Sequence, residues 1–172
     1  MKAPLLMALA AAALLGCQSA SQEPQRATAA LKSTKGSKAF GEATFEQVGN
    51  KVRVVAYVQG LTPDREHGFH IHEVGDCSSA DGMSTKGHFN PYGKPHGHYQ
   101  SGERHAGDLP ALKAGKDGRA KVDIELDIIT VAPGPASIVG RGLIVHADPD
   151  DYKTQPTGNA GERIACAVIQ RG

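Results

Sequence analysis

From about residue 30 onward, apolar and polar residues alternate with the two-residue period of β-strands. In Lys51–Gln59 (KVRVVAYVQ) the β-branched residues Val52, Val54, Val55 and Val58 dominate, which suits a pleated, half-buried surface. Gly49-Asn50 separates that run from Ser37–Val48 and predicts a two-residue hairpin. Gly68–Glu73 (GFHIHE), Ala120–Leu126 (AKVDIEL), Ile138–His146 (IVGRGLIVH) and Arg163–Gln170 (RIACAVIQ) read as further strands. Two stretches break the alternation: Val74–Lys116, 43 residues dense in Gly, Pro, Asp and His, and Asp148–Gly161. A loop as long as the first is uncommon unless it has a function. Seven or eight short strands, no long helix and no internal repeat predict an all-β fold. The expected architecture is a Greek-key β-sandwich or flattened eight-stranded barrel with two long functional loops.

The N-terminus has a different pattern. Lys2 precedes an unbroken apolar run, Leu5–Leu15. That run is too short for a spanning helix, which needs about 20 apolar residues, and reads as an export signal. It ends in Leu14-Leu15-Gly16-Cys17, which resembles the lipobox of bacterial lipoproteins, where the cysteine is lipidated. Gln18–Ala30 is rich in Ser, Gln and Ala and reads as a flexible tether. The predicted organisation is a signal peptide over 1–16, a lipidated Cys17 and tether over 17–30, and one domain over 31–172. It places the protein in a bacterial cell envelope, lipid-anchored and facing the periplasm or the cell surface.

Composition narrows the partners. The 172 residues carry 19 Lys+Arg against 18 Asp+Glu, a formal charge of +1. Loss of Lys2 with the signal would leave zero. That balance argues against a nucleic-acid binder, which carries a basic patch and a high pI. Beyond Cys17 only Cys77 and Cys166 remain, and an even pair in an oxidising compartment reads as one disulfide.

The unusual number is eight histidines. His70 and His72 flank Ile71 in a predicted strand, so both imidazoles face one side and can meet one ion. His88, His96, His105 and Asp108 follow in the long loop: three imidazoles and a carboxylate, a complete tetrahedral zinc set with no open position. A metal clip can order a loop that has too few aliphatics to order itself. His146 ends a later strand and is available to join His70 and His72. Imidazoles without a thiolate suit copper, zinc or iron. His67 and His98 fall outside both sets and read as satisfied core or solvated loop histidines, although His98, two residues from His96, could compete as a ligand.

Five segments carry a family resemblance: GFHIHE at 68–73, GHFNP at 87–91, ERHAGDL at 103–109, LIVHA at 143–147 and TGNAGERIACAVI at 157–169. In this order and spacing they resemble the copper/zinc superoxide dismutases, across essentially the whole domain. The resemblance implies His70, His72, His88 and His146 as copper ligands and His88, His96, His105 and Asp108 as zinc ligands. His88 then bridges the metals. Arg163 matches the arginine that orients the anionic substrate beside the copper. Asp150 matches a carboxylate that holds one ligand imidazole of each metal. Cys77 and Cys166 match the disulfide that pins the long loop to the last strand.

The implied reaction is dismutation of superoxide to dioxygen and hydrogen peroxide, an antioxidant oxidoreductase activity that uses copper and zinc. The implied partners are the superoxide anion, a membrane through Cys17 and, as a candidate, a second copy of the chain. A non-catalytic copper- or zinc-binding module on the same scaffold is the competing reading. It is disfavoured because all four copper positions and Arg163 are present. A zinc hydrolase is disfavoured because the zinc set is closed.

Overall fold

The alternation becomes a set of short strands: β1 Arg26–Ser33, β2 Phe40–Val48, β3 Lys51–Gln59, β4 Glu66–His67, β5 Phe69–His72, β6 Leu112–Lys113, β7 Ala120–Leu126, β8 Gly142–His146, β9 Arg163–Val168 and β10 Gln170–Arg171. The computed structural model describes residues 25–172. The predicted export segment and Cys17 lie outside the described residues. Within them, helix is limited to a single turn, Met83–Thr85.

Side-chain period decides what each strand buries. Along β3, Val52, Val54, Ala56 and Val58 point into the core while Lys51, Arg53 and Tyr57 face out. Strands β2 and β3 pair from Phe40↔Gln59 to Val48↔Lys51, and Gly49 closes the hairpin at φ +60°, where its missing Cβ removes the strain.

The main sheet is antiparallel in the order β5-β8-β9-β1-β2-β3-β7, with β10 also on β1. Strand β1 lies where the sheet curls: Arg26–Leu31 pair with β2, while Lys32 and Ser33 pair with β9. The connections from β3 to β5 and from β7 to β8 cross between the far ends of this order, which is the Greek-key character. Phe45, Phe69, Ile71, Phe89 and Leu143 lie in the enclosed core.

Strand β1 corrects the predicted tether. The sequence reading ends the tether at Ala30, but Arg26–Ala30 already form a ladder with β2. Ala27, Ala29 and Leu31 point inward. Two of these three are alanines, whose methyl groups carry little hydrophobic signal, so the alternation is easy to overlook.

The long loop does not stand away from the sheet. It folds back along β5: the Ile71 N–H donates to Gly107 O at 2.9 Å, and Ile71 O accepts from the Phe89 N–H at 2.8 Å. Gly107 is required there, because a Cβ would overlap the Ile71 carbonyl. A disulfide between Cys77 and Cys166 ties the same loop to β9.

Candidate metal centre

Strand β5 buries Ile71 in the core and carries His70 and His72 on either side of it, both fully buried. Its ladder with β8 sets His70 opposite Ile144 and His72 opposite Gly142. His146 ends β8, where the register with β9 shifts between Val145 and His146 and leaves His146 paired with Arg163. Irregularities of this kind re-aim a side chain at the end of a ladder. The folded-back loop adds bridges between His72 and His88 and between His70 and Asp108. Three separate stretches of chain, β5, β8 and the long loop, thus deliver the imidazoles.

The result is two clusters that share His88. Ligand-capable atoms of His70, His72, His88 and His146 lie within 4.8 Å of one another, as do those of His88, His96, His105 and Asp108. In the first cluster the His70 and His88 ring centroids are 4.0 Å apart and those of His72 and His88 5.0 Å apart. His70 Nδ1, His72 Nε2, His88 Nε2 and His146 Nε2 are buried with no hydrogen-bond partner among the described residues. Each ring's other nitrogen is engaged. His70 Nε2 meets Asp150 Oδ2 at 2.7 Å, His72 Nδ1 donates to Lys86 O at 2.8 Å, and His146 Nδ1 donates to Gly161 O at 3.2 Å. Engaging one nitrogen as donor leaves the other as a lone pair, which is how a ligand histidine is oriented. Burial, together with neighbouring histidines and Arg163, holds the pKa of His72 and His146 well below the usual histidine value. Burial and His70 push His88 down to about 3 against the pull of Asp108. Neutral imidazoles are the form a metal takes up.

The second cluster converges on one oxygen. Asp108 Oδ1 lies 2.9 Å from His88 Nδ1, 3.0 Å from His96 Nδ1 and 3.4 Å from His105 Nδ1. Its other oxygen accepts the N–H groups of His105 at 2.8 Å and Gly97 at 3.1 Å. Burial alone would raise Asp108, but hydrogen bonds from His105, His88 and His96 hold it well below the usual carboxylate range.

Asp150 links the clusters. While Oδ2 holds His70, Oδ1 meets His96 Nε2 at 2.9 Å and accepts the Tyr152 N–H at 2.7 Å. Burial opposes charge on His96, yet its bonds to Asp108 and Asp150 overcome that and raise its pKa to about 9. Without a metal, a proton on His96 balances the two carboxylates.

Arg163 is half-buried beside the first cluster. Its guanidinium donates to Gly82 O at 2.9 Å, Thr85 Oγ1 at 2.7 Å and Lys86 O at 2.6 Å. Burial lowers its pKa and Asp81 opposes that. Guanidinium stays cationic at any working pH. Glu162, Arg163 and Met83 line an open cavity of about 630 Å³ at this edge.

The family model described as copper/zinc superoxide dismutase matches residues 39–169. The chain belongs to the copper/zinc superoxide dismutase family. It is 40% identical over 166 residues to superoxide dismutase (Cu-Zn) 2 of Aquifex aeolicus, covering 94% of this chain and 96% of that protein. Identity to the Cu-Zn superoxide dismutase of Paramecium bursaria Chlorella virus 1 is 43% over 136 residues, 75% of this chain and 71% of that one. Among solved structures, the crystal structure of the clock protein EA4 superposes with a TM-score of 0.77 at 42% identity, covering 86% of this chain and 94% of that chain.

The family's two metals fit the two clusters. Four unpartnered buried lone pairs make an all-imidazole set, which suits copper. Tetrahedral zinc with ligands at about 2.0–2.1 Å needs donor atoms roughly 3.3 Å apart. The Asp108–imidazole separations of 2.9, 3.0 and 3.4 Å are close to that spacing.

The residues nominated as metal ligands, together with Asp150 and Arg163, lie in or beside these clusters: His70, His72, His88, His96, His105, Asp108, His146, Asp150 and Arg163. His67, given no ligand role, is buried and its Nδ1 donates to His146 O at 2.8 Å. The sequence reading missed the carbonyls of Lys86 and Gly161, which orient His72 and His146. Main-chain acceptors have no residue-type signature. Gln155, whose side-chain amide bonds the main chain of His96, was missed too, because nothing in its neighbouring sequence marks it.

Proposed function

We propose that this protein dismutes superoxide at a copper held by His70, His72, His88 and His146, with zinc held by His88, His96, His105 and Asp108. The supporting observation is the convergence of four buried, unpartnered imidazole nitrogens beside the cationic Arg163. Two superoxide anions and two protons become one dioxygen and one hydrogen peroxide. Bound copper supplies the alternating one-electron chemistry. Arg163 draws in the anion and presents its N–H fork to it. Its contacts to Gly82, Thr85 and Lys86 fix the guanidinium so that little ordering is left to do when the anion arrives. His88 would help hold both metals through its two nitrogens, and its Nε2, when free of metal, would be the atom that takes up a proton and passes it on. Asp150 keeps the Nε2 protons on His70 and His96, so their Nδ1 atoms face the metals.

The wild-type protein and His146→Ala, each reconstituted with copper and zinc, test the reading by superoxide removal. Wild type is expected to be active and His146→Ala inactive. A copper-loaded wild type without activity would overturn the enzyme reading and favour the metal-binding module.

We also propose a signal peptide over 1–16 and a lipid on Cys17 that anchors the domain in a bacterial envelope. The apolar run followed by Leu-Leu-Gly-Cys supports it. Membrane fractionation checks it, with wild type expected in the membrane and Cys17→Ala released. A soluble wild type refutes the anchor.

A further inference from the structure

We infer that Gln155 is a positioning residue for the zinc site, acting through the main chain of His96. The inference rests on the zinc assignment proposed above. Gln155 Oε1 accepts the His96 N–H at 2.8 Å, and Gln155 Nε2 donates to His96 O at 2.9 Å. One side-chain amide thereby satisfies both main-chain polar groups of a buried residue, groups that must find partners somewhere.

The other three members of the set have their own support. His88 and Asp108 are bridged to His72 and His70 on β5. The His105 N–H is held by Asp108 Oδ2 at 2.8 Å, and its carbonyl accepts the Asp108 N–H at 3.3 Å. His96 has no main-chain ladder. Its peptide is held by a side chain 59 residues away, on the other long loop.

That loop grips the His96 segment elsewhere too. Asp150 Oδ1 holds His96 Nε2, and the rings of His98 and Tyr152 meet at 4.7 Å between centroids. Gly158 allows the close fit: a Cβ there would overlap both Asp150 Oδ1 and His96 Nε2. Asp150 therefore fixes the ring while Gln155 fixes the peptide, so both the aim and the position of His96 Nδ1 depend on the second loop. Partners of metal ligands typically change metal affinity by about 10–100-fold when removed.

The test measures metal release from the fully loaded protein to a chromogenic chelator, reading zinc and copper separately, for wild type, Gln155→Ala, Gln155→Glu and the exposed-loop control Lys153→Ala. Gln155→Ala is expected to lose zinc about tenfold faster at unchanged copper retention. Gln155→Glu, which lacks the donor to His96 O, is expected to lose zinc faster than wild type, and Lys153→Ala to match wild type. A wild-type zinc rate in Gln155→Ala overturns the inference, and so does loss of copper in step with zinc. Failure of the wild type itself to take up zinc would remove the ligand assignment and this inference with it.

Discussion

Arg163 lies directly across the β8–β9 ladder from His146, at the step where the register shifts. Cross-strand neighbours are the closest side-chain pairs a sheet can provide. The strand that presents an imidazole to the all-histidine cluster is thus paired with the strand that presents the cation. Lys86 O strengthens the link by accepting from both His72 and Arg163.

Arg163→Ala is therefore expected to lower kcat/KM for superoxide by about 10–100-fold, the size of a lost charge-assisted hydrogen bond. Copper and zinc contents are expected to match wild type, because no metal ligand is removed. Steady-state kinetics alongside metal analysis checks this, and full activity in the variant would contradict it.

Asp150 bonds one imidazole of each cluster. Asp150→Asn removes the carboxylate charge and leaves one oxygen for two ring N–H groups. Copper and zinc affinity are both expected to fall by about 10–100-fold, as measured by chelator competition. An effect on one metal alone would show that the bond to the other ring carries no weight.

His96 gives zinc binding a pH dependence. Its pKa is raised to about 9 in the metal-free protein, so at neutral pH it holds a proton that zinc must displace. Zinc affinity is expected to rise with pH by about tenfold per unit below 9, with at least one proton released per zinc. His88, pushed down to about 3, is already neutral and contributes none of that slope. Calorimetry in buffers of different ionisation enthalpy counts the proton, and an uptake of protons would contradict the reading.

The disulfide joins the first long loop to β9 across a sequence separation of 89. Replacing Cys77 and Cys166 by serine is expected to destabilise the metal-free protein by about 4–5 kcal/mol in the chain-entropy model. Denaturant unfolding measures it, and an unchanged midpoint would show that the metal-free loop is restrained by other contacts.

Sequence alone determined the parts of this protein that depend on local periodicity and residue chemistry. Alternation marked β2, β3 and β7, because a strand's face repeats every second residue. The His-x-His of β5 and the His and Asp spacing of the long loop disclosed the ligand-capable residues, because few other side chains take metals. Alternation failed at Arg26–Ala30, where alanines hide the inward face. Tertiary structure decided how these pieces meet. It showed that the loop folds back along β5 and that a register shift sets His146 opposite Arg163. It also showed that the carbonyls of Lys86 and Gly161 orient two imidazoles, and that Gln155 reaches across 59 residues to His96. These relationships depend on backbone atoms and long-range contacts. A carbonyl is the same at every position in a sequence, and only the folded chain determines which one lies opposite an imidazole.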